Sequence, residues 1–242
     1  MTRTTGALAI ALLSTTAASR ADEVQAAAAK VFAEQKGHTI SMSVTRKRGS
    51  KDVTFDAQGL SLDGKGIVVT ALSAIEPPVN PMMAAAARAA GGAAPGKGEL
   101  SKLSIYAPDG SEIDAEVLLT DPELDLAFIK VKPGEDGESL ELAAPVPAGA
   151  KAEVLDDVLG IQRMSASFQR EASVALIEIS AVVETPRLLY VPSAAIRTGT
   201  AVFNLKGELV GIGARKGGST VVLPTKTLLK LAATVPEKKA DE

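Results

Sequence analysis

Apolar and polar positions alternate with a period of two through most of this chain. In the first half the alternation runs through residues 39–44, 53–62, 67–70, 102–106 and 113–119; in the second it recurs at 152–159, 171–183, 187–191, 200–204, 208–214 and 219–223. A period of two is that of half-buried strands. The polar segments between them predict hairpin turns: RKRGSK at 46–51, DGKG at 63–66, PDG at 108–110 and KG at 206–207. Two stretches leave the pattern. Residues 22–36 are rich in Ala and other helix formers and stop before Gly37, and a second apolar-periodic stretch opens after Pro224. The reading is an all-β chain with a leader helix and a closing helix.

Composition narrows the chemistry. With 46% hydrophobic and 23% charged residues the chain fills a packed core. Aromatics are only 3% and Trp is absent, so that core is aliphatic and offers no stacking platform for bases or sugars. A net charge of −3 argues against a nucleic-acid partner, whose affinity rests on concentrated positive charge. There is no cysteine, which removes disulfides and thiolate metal sites; no cofactor and no metal are expected.

The amino terminus reads as an export signal. Arg3 gives a basic start, residues 7–13 a short apolar run, and 19–21 a small-x-small site, so cleavage near Ala21 leaves Asp22 first and places the protein in the periplasm or outside the cell. A retained anchor is the alternative, although the run is far shorter than the ~20 residues of a spanning helix. No other segment is apolar enough to span. Residues 77–100 are biased to Ala, Pro and Gly and read as a long surface loop. Part of it, 82–90, is either a helix for a partner or a floppy cover over the cleft edge. Arg46, Lys47, Arg48 and Lys51 read as a solvated hairpin tip.

Three segments carry a family resemblance. Residues 66–75 (GIVVTALSAI) resemble the strand and turn that bear the catalytic His in trypsin-like serine proteases of the HtrA/Deg branch. Residues 120–131 (TDPELDLAFIKV) resemble the strand bearing the catalytic Asp. Residues 203–212 (FNLKGELVGI) resemble the hairpin after the nucleophile loop. The resemblance covers about 32–231. It implies two antiparallel β-barrels of the trypsin-like fold: an N-terminal barrel at 37–135, a C-terminal barrel with its closing helix at 145–232, a signal peptide at 1–21, a leader helix at 22–36 and a tail at 233–242. A peptide-binding PDZ module often follows the closing helix in that family, and none is expected here.

The resemblance also defines what has changed. Ser73 stands where the His belongs, whereas Asp125 is kept. Counted back from Asn204, Thr198 stands at the nucleophile and Ile196 and Gly199 at oxyanion-loop glycines. Counted forward from AAIRTG at 194–199, a deletion removes the serine instead. A triad hydroxyl attacks only when an imidazole takes its proton, and the Asp serves that imidazole. Ser73 is no base, and a Thr nucleophile needs one beside it. The single histidine, His38, falls in the first strand, far along the chain from both positions.

Three functions stand against one another. The first is an exported pseudoprotease that binds a peptide or an envelope protein. The second is an active endopeptidase with an unusual site, built on Thr198 or on another serine such as Ser193. The third is a purely structural envelope domain. The sequence assigns no oligomeric state.

Overall fold

A computed structural model describes residues 6–63, 66–91, 96–107, 110–132, 146 and 149–235, with 6–20 described by backbone alone. Helix α1 (Gly6–Gln35) runs unbroken through Ala21. No helix among the described residues is long and apolar enough to cross a membrane. A 3-10 turn, Lys36–His38, leads into β1 (Thr39–Arg48), β2 (Lys51–Ser61) and β3 (Ile67–Ala71). After β3 come a four-residue helix α2 (Leu72–Ile75), α3 (Pro81–Ala89), β4 (Glu99–Tyr106), β5 (Glu112–Asp121) and β6 (Leu126–Val131). The second half holds β7 (Asp157–Arg163), β8 (Ala172–Val183), β9 (Leu189–Pro192), β10 (Ala201–Asn204), β11 (Leu209–Lys216), β12 (Ser219–Pro224) and α4 (Thr225–Ala232).

These strands close into two antiparallel barrels, ordered β1-β2-β3-β6-β5-β4 and β10-β11-β12-β9-β8-β7. Closure leaves no open sheet edge for another chain to extend. Met42, Val44, Ile105 and Ile129 fill the first barrel, and Ile177, Ile179, Tyr190 and Val222 the second. A third apolar cluster joins them: Leu60, Val69 and Phe128 of the first meet Ile161, Phe203 and Ile212 of the second, with Val31 of α1 and Leu228 of α4 at its margins. Strands that face this junction are covered on both sides. That is why residues 126–129 (LAFI) are continuously apolar and continuously buried rather than alternating.

Four local readings change. His38 belongs to the 3-10 turn before β1, not to the strand. The first hairpin pairs out to Arg48 opposite Lys51, so its turn is residues 49–50 alone. Arg46 is consequently a strand residue and is buried, unlike the exposed Lys47, Arg48 and Lys51. Its guanidinium donates to the carbonyls of Ile75, Lys97 and Gly98 and lies 3.7 Å from Glu76. The strand expected at 152–159 begins only at Asp157. Glu153 N–H donates to Asp156 Oδ2 and Leu155 adopts φ 72°, which folds 153–156 into a turn. Within 77–100, α3 is a true helix, capped by the Asn80 side chain accepting from the N–H groups of Met82 and Met83. The expected link at 133–138 lies outside the described residues, as do parts of 145–149.

Candidate functional site

Asp125 stands at the end of a tightly specified turn. Asp121 Oδ1 accepts from the N–H groups of Glu123 and Leu124 at 3.0 and 2.9 Å, an arrangement Asp side chains make readily. Asp125 itself is in the left-handed region at φ 57°, where Asp is among the better-tolerated residues. The turn swings its side chain, only 9% exposed, against the start of α2.

There the carboxylate is fully engaged. Ser73 N–H donates to Oδ1 at 2.7 Å, Ser73 Oγ–H to Oδ2 at 2.7 Å, and the N–H of Arg215 on β11 to Oδ2 at 2.6 Å. The Asp125 carbonyl accepts from Leu72 N–H at 2.9 Å. The first N–H groups of a helix lack intrahelical partners and need a cap. Ala71, the residue that precedes α2, makes no side-chain cap. Asp125 supplies that cap from 52 residues away and ties it to the second barrel as well. The sequence places Ser73 and Asp125 in the site, and the structure brings the two together.

The turn at 196–200 is built differently. Ile196 is buried in the second barrel, its side chain lying over Gly213 and Gly160. Gly199 has φ 80°, and its N–H donates to the Gly213 carbonyl at 2.7 Å. A Cβ on Gly199 would stand 2.2 Å from the Gln58 carbonyl oxygen, so only glycine fits this approach of one barrel to the other. Thr200 N–H donates to the Arg197 carbonyl at 3.2 Å. Both donors are therefore spent within the protein, the first on β11 and the second inside the turn itself. Thr198 is half-buried, and among the described residues its hydroxyl makes no hydrogen bond. Ser193 is exposed, and its hydroxyl accepts from Glu178 N–H of β8 at 3.3 Å.

Sequence reasoning missed the residue that seats this turn. Gln58 is 1% exposed and bridges the barrels. Its Nε2 donates to the Thr198 carbonyl at 3.3 Å and to Thr200 Oγ1 at 3.0 Å, while its Oε1 accepts from Arg163 N–H at 2.7 Å. The Arg163 guanidinium extends the clasp to the carbonyls of Thr39, Lys36 and Arg170. Nearby, Arg170 donates to Asp56 and to the Tyr106 hydroxyl while its guanidinium lies 3.8 Å over the Tyr106 ring. The one available signal was that the run AQGLSL at 57–62 carries no charge, so neither of its faces is marked for solvent.

His38 lies apart from both segments of the site. It is 7% exposed, its ring is tilted 45° to Phe203 at 6.4 Å between centroids, and Nδ1 has no partner among the described residues. Burial pushes its pKa below the ordinary histidine value. No group of three or more His, Cys, Asp or Glu side chains suited to a metal occurs among the described residues.

Comparison with known proteins fits this geometry. The sequence pattern of the trypsin-like peptidase domain matches residues 57–212 of the 242. Among curated proteins, none matches the sequence. Among solved structures, the chain is similar to an HtrA-type protease, AlgW, solved with a tripeptide: the TM-score is 0.61 at 17% identity, over 87% of this chain. The alignment spans 64% of the length of that structure. At this identity the likeness speaks for the fold, and the two closed six-stranded barrels are that fold. The match over more than half of the sequence settles the family: the chain belongs to the trypsin-like peptidases.

Proposed function

We propose that this chain is an exported, catalytically silent trypsin-like peptidase that works by binding a peptide or protein partner. The observation that carries this reading is the engagement of Asp125. Among the described residues its carboxylate accepts from Ser73 and Arg215 alone, so it serves as a structural cap where an active enzyme needs it to orient an imidazole. The turn supports the same reading. Stabilising a tetrahedral oxyanion requires N–H groups aimed at the developing charge. Here the Gly199 N–H is directed at Gly213.

The experiment is a turnover assay on the purified protein with casein, together with labelling by a fluorophosphonate probe. We expect no cleavage and no label. Cleavage that is abolished by Thr198→Ala would overturn silence. Export is tested separately by sequencing the amino terminus of the protein recovered from the envelope fraction, where the expected first residue is Asp22. Recovery of the full-length chain from the cytoplasm would remove that part of the reading.

A further inference from the structure

Beside the Asp125 corner lies an open pocket of about 400 Å³, solvent at its mouth included. Its floor is aliphatic: Leu124, Leu189, Val221 and Leu223 line it, and all but Leu189 are buried. Its rim is basic. Arg187, Arg215 and Lys216 stand around it, and Glu123 is the one acidic lining residue.

The Glu123 carboxylate is paired with Arg187, and Lys216 Nζ donates to the Glu123 carbonyl at 3.4 Å. Arg215 spends only its backbone N–H, on Asp125. Its guanidinium is exposed and makes no hydrogen bond or ion pair among the described residues. Asp125 does not line the pocket, and its carboxylate is met by three donors. An apolar floor with unspent positive charge at its lip selects a ligand of the opposite pattern.

We propose that this pocket binds an acidic peptide segment, seating an aliphatic side chain on the floor with flanking carboxylates against Arg215 and Lys216. The inference rests on the peptide-binding reading above and specifies its ligand. A peptide fits better than a small anion because the floor alone accepts a side chain, while the cations are spread around the rim and need more than one carboxylate.

The test is fluorescence anisotropy with three labelled peptides of equal length, centred on Asp-Leu-Glu, Asn-Leu-Gln and Lys-Leu-Lys. At low salt the acidic peptide should bind at least about tenfold more tightly than the neutral one, as two or three exposed charge pairs provide. About 0.5 M NaCl should remove the difference by screening. Arg215→Gln with Lys216→Gln should bring the acidic peptide down to the neutral level, and Arg215→Glu with Lys216→Glu should turn the preference to the basic peptide. Equal binding of acidic and neutral peptides overturns this inference and leaves peptide binding standing. Binding of none of the three overturns peptide binding, and this inference with it. Competition by decanoate as effective as by unlabelled acidic peptide would make the occupant a free amphiphile and also overturn the proposal.

Discussion

The Asp125 corner and the 196–200 turn are the two segments that the family resemblance assigns to one site, and they are built in different ways. At the corner the backbone is in place: the turn holds Asp125 at α2, and a serine hydroxyl takes the space and one of the bonds an imidazole would have. At the turn the backbone itself has been rebuilt around Ile196 in the core and a Gly199 N–H directed inward. A lost side chain is restored by one substitution. A lost backbone conformation is not, because the turn is held by Ile196 in the core and by the Gly199–Gly213 bond.

The contrast is sharpest at Gly199. Substitution by Ala adds a Cβ 2.2 Å from the Gln58 carbonyl oxygen at a left-handed φ. Left-handed strain and overpacking together predict a loss of about 3 kcal/mol or more, a fall of roughly 6–12 °C in Tm for a chain of this size. Thermal unfolding followed by circular dichroism measures it. An unchanged Tm would mean that the turn does not press on the first barrel.

Gln58→Leu comes next. It keeps the volume but strips partners from the Thr198 carbonyl, the Thr200 hydroxyl and Arg163 N–H, at an expected cost of about 2–3 kcal/mol. Urea unfolding gives the value, and a midpoint unchanged from the parent would place the stabilisation outside these bonds.

Asp125→Asn probes the corner. Asn tolerates the left-handed backbone but has one acceptor oxygen for three donors, so its amide faces an N–H. The expected loss is about 1–3 kcal/mol. A melting curve identical to that of the parent would show that capping α2 contributes nothing to the fold.

Much of this was legible in the sequence, and the two regions show where legibility stops. The period-two runs gave the strands, and motif order gave the Ser73–Asp125 pair, because both segments are local patterns with their turn residues intact. Gln58 and Arg163 were invisible, since their meaning lies in a contact 105 residues apart in the chain. Arg46 was misread because a buried guanidinium bonded to three carbonyls looks, in sequence, like its exposed basic neighbours. The strand expected at 152–159 slipped because the alternation there competes with the turn made by Asp156.

A smaller effect concerns His38, buried near the barrel junction. Its folded pKa lies below the unfolded 6.5 because burial disfavours the cation. The unfolded chain therefore takes up the proton first. Stability associated with this group is complete above pH 6.5 and is lost as the pH falls from there toward the folded pKa. Denaturant midpoints between pH 7.5 and 5 should fall more steeply in the parent than in His38→Phe. Matching profiles would refute the assignment.

On the function proposed above, silence resides in the backbone of the 196–200 turn and not only in two absent side chains. The direct measurement is casein hydrolysis by the variant carrying Ser73→His and Thr198→Ser, with Asp125 already in place to receive the imidazole. We predict no activity above the parent, because Ile196 packed in the second barrel and the Gly199–Gly213 bond hold the turn around Thr198 in a shape of its own, and a donor misplaced by about 1 Å costs on the order of a hundredfold. Clear proteolysis, together with fluorophosphonate labelling of the new serine, would contradict the account and show that the turn still presents its donors to a substrate.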